Sequence, residues 1–325
     1  MSHPSRRLFG GFVATGILAA VAPALAQPYP VRHVRIITAG AGTFHDIVAR
    51  ALALRLGERW GQAVIVENQP AAGMTIGAAI AAKAQPDGYT LLLADRSSLA
   101  VAPNLYRDLR YDPVKDFRPI TLVARAPGLV VTHPSVPATN LREFIAYARE
   151  QREPVVYASA GYGTVAHLSG ESFAQLAGIK ILPVQYKGGT AVAMAVLSGE
   201  AKVSIVSIPI VLPHVEAGRM RALAIASAHR FAGAPDIPTA AEAGLPGFES
   251  EQWIGMLVPA KTPDAVVDKL NGDIIEILRT AQLQDLLRTQ GGEVAPSTPA
   301  EFASFITSET VRLKRLLDTA GIRIE

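Results

Sequence analysis

The sequence predicts an α/β fold built as two lobes around a central cleft, and three observations predict it. Strand-like and helix-like segments alternate along the chain, as in a parallel sheet with helical crossovers. The alternation pauses at a proline-bearing stretch (Asp112-Pro113, Pro119) and then restarts, giving two units. Each unit opens on strand, glycine loop and helix: RIITAGAGTFHD in the first, VVYASAGYGTVAH in the second.

In the first unit, VRIIT (34 to 38) is a short apolar run of strand length, and HDIVARALALRLGERW (45 to 60) repeats its apolar residues at helical spacing. AVIVEN (63 to 68) is the second strand, and TIGAAIAAKA (75 to 84) is an alanine-rich helix stopped by Pro86-Asp87-Gly88. YTLLLA (89 to 94) completes a βαβαβ unit, whose crossovers should be right-handed. The run ITLVARAPGLVVTH (120 to 133) reads as one long strand or two paired ones. Asn140 with Glu143 forms a capping box that opens the next helix. The second unit then reads as strand 154 to 160, helix 164 to 177, strand 181 to 186, helix 189 to 198, strand 203 to 208, helix 209 to 217 and strand 221 to 227. QWIGMLVP (252 to 259) is a further strand, and the tail is helical. Pro263 is expected at the first position of one helix, and Thr298-Pro299-Ala300-Glu301 starts the last, which runs to about Ala320 before Gly321.

Composition excludes several function classes. The 325 residues contain no cysteine, which removes disulfides, zinc-thiolate sites, iron-sulfur clusters and a cysteine nucleophile. Residues 1 to 26 read as a secretory signal: Arg6 and Arg7, an apolar stretch from Leu8 to Leu25, and a small-x-small site at Ala24-Leu25-Ala26. The adjacent arginines fit the twin-arginine route and the general secretory route alike. Of 31 basic residues, 29 remain beyond the signal against 28 acidic, a net charge of +1 with signs interspersed. That balance argues against nucleic acid as a partner. The expected location is the periplasm.

No catalytic constellation is found. Gly40-Ala41-Gly42-Thr43-Phe44-His45 has a histidine where a dinucleotide fingerprint needs its third glycine, although Glu67 stands where a ribose-binding acid belongs. Neither loop ends in the lysine-serine or lysine-threonine of a phosphate-binding P-loop, and no nucleophile elbow or zinc-binding histidine pair occurs. No cofactor is expected. Two matched loops at helix N-termini instead suggest anion binding by backbone N–H groups in a shared cleft, against the plainer reading of two tight turns. His45 and His167 lie beside these loops, as donors to a carboxylate or as structural histidines. Asp46 most simply stabilises the first turn of its helix. Arg96 follows the third strand, where α/β sheets bind ligands, and suits either a bidentate grip on a carboxylate or a surface pair with Asp95. Tyr186 and Lys187 end a strand of the second unit, where the lysine is a point charge near the cleft or simply solvated.

With these segments in view, the chain resembles the substrate-binding proteins of tripartite tricarboxylate transporters, the Bug-type periplasmic receptors. The stretches that carry the resemblance are YPVRHVRIIT, DIVARALA, VENQPAAG, PDGYTLLLA, YDPVKDF, VVYASAGYG, HLSGE, VQYKGG, LPHVEAGRMRALA, PDIPTAAEAGLPGF and APSTPAEF, in that order from Tyr29 onward. The resemblance implies a type II-like periplasmic-binding-protein fold with crossing hinge strands near 120 to 132 and 250 to 258. Lobe I would hold 27 to 125 plus 254 to 325, and lobe II 126 to 253. It also implies a monomer without catalysis that delivers a small carboxylate to membrane transporter subunits; an orphan sensor, and an exported enzyme, are the alternatives. The family's first-loop motif, P-P-G-G-S/T-x-D, falls on Gly40, Ala41, Gly42, Thr43, Phe44, His45 and Asp46, of which Gly42 and Asp46 keep the pattern. In the second loop Ser159, Ala160, Gly161, Gly163 and Thr164 fit, with Tyr162 where asparagine is frequent. Val206 stands where the family often has an aspartate, and Arg96 and Ser97 replace small polar residues. Phe44, Tyr162 and Arg96 together suit an aromatic or bulkier carboxylate.

Overall fold

A computed structural model describes residues 29–69, 74–161 and 165–320. The signal segment, Tyr162, Gly163, Thr164 and Gly321 therefore lie outside the described residues. In chain order the first unit comprises β1 (Val34–Thr38), α1 (Phe44–Trp60), β2 (Val64–Asn68), α2 (Thr75–Ala82) and β3 (Thr90–Asp95). A π-helical turn (Ser97–Val101) and the short α3 (Ala102–Leu105) follow, neither of which the sequence pattern announced. Then come β4 (Phe117–Thr132), α4 (Leu141–Glu150), β5 (Val155–Ser159), α5 (Val165–Ala177), β6 (Ile181–Gln185) and α6 (Gly189–Leu197). The chain continues through β7 (Val203–Ser207), α7 (Ile208–Glu216), β8 (Arg221–Ile225) and β9 (Glu251–Pro259). It ends in α8 (Asp264–Leu278), α9 (Ala281–Thr289), β10 (Glu293–Val294) and α10 (Pro299–Ala320).

The helix starts follow their caps. Glu301 N–H donates to Thr298 Oγ1 (3.2 Å) and Thr298 N–H to Glu301 Oε2 (2.8 Å), a complete capping box with Pro299 first in the helix. Asn140 caps α4 through Glu143 N–H (3.0 Å), but the Glu143 carboxylate reaches back to Thr139 N–H (2.7 Å), one residue beyond the expected partner. Pro263 precedes α8 as its N-cap in extended backbone, one position earlier than expected.

The strands run in the order β2-β1-β3-β9-β4-β7-β5-β6, with β8 and β10 also paired to β4. β1 is parallel to β2 and β3, and β5 is parallel to β6 and β7. The run expected at 120 to 133 falls in a single strand, β4 (Phe117–Thr132), that belongs to two sheets. Its first part, from Phe117 to Pro127, pairs antiparallel with β9, and its last part, from Gly128 to Thr132, pairs with β7. At the change-over, Gly128 N–H donates to Ser250 O (2.9 Å), Ala226 N–H to Gly128 O (2.9 Å) and Ser250 N–H to Ala226 O (2.8 Å).

Each sheet is covered on both faces. Leu52 and Leu56 of α1 pack with Leu270 and Ile274 of α8 on one face of the first sheet. Ala78 of α2, Leu99 of the π-helical turn and Phe302 of α10 cover the other, together with Trp253 of β9. In the second sheet Phe144, Phe173 and Phe248 fill one face, while Val192, Val196, Val211 and Phe231 fill the other. Each such side chain contributes about 1.5–3 kcal/mol when fully buried. Among the described residues no helix is long and apolar enough to cross a membrane.

At Gly255, in the middle of β9, the ring of Phe302 on α10 packs against the strand backbone. A methyl group there would overlap the ring of Phe302, which is itself fully buried and has nowhere to turn. Gly255→Ala is expected to lower stability by about 1–3 kcal/mol, seen as a lower urea midpoint with an unchanged slope. A midpoint equal to the parent's would contradict this packing.

Candidate functional site

The first loop folds around one carboxylate. Gly42 has φ of +74°, a conformation that glycine adopts without strain. Its N–H donates to Asp46 Oδ2 (2.9 Å), and Asn68 Nδ2 donates to Asp46 Oδ1 (2.8 Å) and to Ala39 O (2.7 Å). Arg50 Nε completes the set at 3.0 Å from Asp46 Oδ1. Burial alone would raise the Asp46 pKa, but the hydrogen bonds from Arg50, Gly42 and Asn68 outweigh it and hold the carboxyl below its ordinary value. Thr43 caps α1: its hydroxyl donates to Gly40 O (2.7 Å) and accepts from Asp46 N–H (3.4 Å). With these bonds made, the backbone N–H groups of Phe44 and His45 have no protein acceptor among the described residues, and they lie at the positive end of α1. Gly40 is half-buried, and Ala41, Gly42 and Thr43 are exposed.

His45 turns inward from this loop. Its Nε2 lies 3.3 Å from Asp95 Oδ2 without forming a well-directed hydrogen bond. The distance supports an electrostatic contact and no more. Asp95 also accepts from Gln252 Nε2 (3.0 Å) and from Ser98 N–H (3.0 Å). Burial pushes the Asp95 carboxyl up, and His45 and Ser98 more than reverse that, leaving it lowered.

Arg96 is not a surface residue: it is 1% exposed. One guanidinium nitrogen donates to Glu251 O (3.1 Å), while Nε is 3.9 Å from Glu309 Oε2 and has no hydrogen-bond partner. Burial, with Arg312 nearby, lowers its pKa to about 10, so it stays charged at neutral pH. Glu309 is held in turn by Arg312 (2.6 Å) and by Trp253 Nε1 (3.2 Å). Arg96 thus sits inside a polar layer behind the loops. Ser97, half-buried, begins the π-helical turn.

The second loop leaves the C-terminal end of β5. Gly161 N–H donates to Gln185 Oε1 (2.9 Å), and Tyr186 N–H donates to Ser159 O (2.8 Å). Ser159 Oγ, Gln185 Nε2 and Tyr186 OH are buried without a hydrogen-bond partner. Burial, with Glu200 nearby, pushes the Tyr186 hydroxyl up to about 12. Ala160 is half-buried and Lys187 is exposed.

Between the two sheets lies a cavity of about 270 Å³. Phe44 enters it from the first loop, and Ala166 and Ser169 from the start of α5. Ala126, Pro127 and Gly128 of the crossing strand form its floor, while Ile205, Val206 and Ser207 close one side. Ser250, Gln252 and Gln290 complete it. Of the described residues expected from sequence, Phe44 and Val206 line this cavity, and the others, the buried Arg96 among them, are not part of its lining. Ser250, Gln252 and Gln290 were not anticipated. Gln252, polar at the head of an apolar strand, was the only one with a sequence signal. A larger groove of about 820 Å³ runs between α5 and α10, lined by Ser172, Thr307 and Arg312 among others. It meets neither loop, and the smaller cavity is the one at the C-terminal strand ends, where α/β folds bind ligands. Among the described residues there is no group of three side chains able to hold a metal ion.

The family described as tripartite tricarboxylate transporter family receptor matches residues 48–322. The chain belongs to that family. Among solved structures, a protein described as a periplasmic transporter is 35% identical, with TM-score 0.76 over 91% of this chain and 100% of its own. Rpa4515 from R. palustris, with adipate, is 32% identical, with TM-score 0.77 over 91% of this chain and 100% of its own. MatC from Rhodopseudomonas palustris, with bound malate, is 30% identical, with TM-score 0.71 over 89% of this chain and 100% of its own. The shared fold of these receptors is the two-lobe, type II-like one described above.

The Asp46 clamp gives a pH prediction. A carboxyl whose folded pKa lies below its unfolded value, here the ordinary 3.8, stabilises the fold above that value and loses its contribution as pH falls through the folded one. Asp46→Ala should therefore cost about 1–3 kcal/mol at pH 7, and the gap to the parent should close as the pH drops below the carboxylate range. Urea unfolding of both proteins at a series of pH values measures it; a gap independent of pH would contradict the clamp.

Proposed function

We propose that the chain binds a small carboxylated solute between its lobes and hands it to the membrane subunits of a tripartite tricarboxylate-type transporter. The observation that carries this reading is that the starts of α1 and α5, each following the glycine loop of its own sheet, line one cavity through Phe44 and through Ala166 and Ser169. The N–H groups of Phe44 and His45 have no protein acceptor among the described residues, and Ser159 Oγ in the second corner is buried without a hydrogen-bond partner. Adipate and malate in two family structures support a carboxylate as the ligand.

In this reading the first loop, Gly40 to Asp46, and the second, Ser159 to Thr164, hold the carboxylate. Ser97, Tyr186 and Lys187 frame the ends of the cleft, Val206 forms its side, and Arg96 supports its wall from behind. Residues 27–125 with 254–325 move as one lobe and 126–253 as the other, closing by hinge motion at the crossing strands. The protein acts in the periplasm as a monomer, after loss of residues 1–26. It performs no chemistry and releases its ligand unchanged.

Thermal unfolding of the chain from Gln27, against citrate, succinate, aspartate, nicotinate and benzoate with NAD as control, tests the reading. An acid at roughly a hundred times its dissociation constant adds about 2.7 kcal/mol, a shift of several degrees. Stabilisation by at least one acid and none by NAD is expected. Stabilisation by NAD alone would return the first loop to the dinucleotide binders.

A further inference from the structure

Resting on the receptor reading, we propose that this cleft selects a carboxylate with one anionic end and an apolar body, an aliphatic or aromatic monocarboxylate, over the corresponding dicarboxylate. The cavity beyond the loops is walled by Phe44, Pro127, Ile205 and Val206, and among the described residues no lysine, arginine or histidine lines it.

The nearby cations are spent elsewhere. Arg96 is buried against Glu251 O and Glu309. Arg125 lies 3.3 Å from Glu251 and 4.7 Å from the centre of the Phe305 ring. Arg50 is held by Asp46. Lys187 is exposed and outside the cavity lining.

Some polar side chains of the wall are committed as well, Ser207 and Gln290 being the other polar ones in the lining. The hydroxyls of Ser169 and Ser250 are hydrogen-bonded to each other, and the Gln252 amide donates to Asp95. A second carboxylate carried into this space would lose its water for a mainly apolar lining, a large penalty for an ionised group. A methyl-ended chain or an unsubstituted ring would instead bury its carbon against Phe44 and Val206 with no such loss. Binding of the first carboxylate at the loops is common to both kinds of acid, so the cavity wall decides between them.

Calorimetric titration of the chain from Gln27 with matched pairs tests this: hexanoate against adipate, and benzoate against terephthalate. The monocarboxylate of at least one pair is expected to bind roughly tenfold or more tightly than its partner. Gln290→Lys, which sets a cation in the cavity from the end of α9, should narrow or invert that ratio. Equal or tighter binding of the dicarboxylates overturns the proposal and leaves the receptor reading in place. Binding of none of the four, with stabilisation by citrate, succinate or aspartate, does the same; no binding of any acid removes both. An unchanged ratio in Gln290→Lys overturns the placing of the ligand's body in this cavity.

Discussion

The whole arrangement depends on the pairing of β4 with β9. β4 is sixteen residues long and is shared by both sheets, and β9 returns beside it from Glu251 to Pro259. Everything else hangs from one side or the other of this pair. The β4–β9 ladder runs to Pro127 with register shifts near Pro119 and Leu122, β4 then pairs with β7 from Gly128, and the change-over is marked by the bonds among Gly128, Ser250 and Ala226. The cavity lies directly on that change-over.

Behind the cavity the chain carries a buried polar layer that an apolar core would not require. Asp95 and Arg96 at the end of β3 reach Gln252 and Glu251 on β9, Glu309 on α10, and His45 at the loop. Buried charges are costly to leave alone: breaking one such pair typically costs about 3–5 kcal/mol, though replacing it whole by apolar residues is often harmless. The layer is thus better understood as fixing position than as adding stability. It ties the first loop to the crossing strand and to the last helix, so that the N–H groups of Phe44 and His45 are held against a rigid backing.

The sequence made the architecture legible because its signals are local. Apolar runs, glycines after strands and caps before helices fall within a few residues of one another, and they placed both loops and most strands. The long strand from 117 to 132 could be seen but not resolved into one or two, because its division depends on partners far along the chain. The side chains at the site were harder. Phe44 and Val206 stood out only as departures from a family pattern, and both line the cavity. Arg96 could be placed at the end of a strand, but nothing near it in sequence announces Glu309, its partner on the last helix. Gln290 enters the cavity from the end of α9 with no neighbouring signal at all. Burial and long-range pairing are properties of the assembled fold, and local periodicity does not contain them.

The central claim is that one small acid is held at once by a loop from each sheet. Hydrogen exchange followed by mass spectrometry, with and without the acid that stabilises the chain most, measures this directly. Slower exchange is predicted in both the 40–47 and the 159–168 segments, with the helices far from the cleft unchanged. Protection of one loop alone, or of the α5–α10 groove instead, would contradict the account.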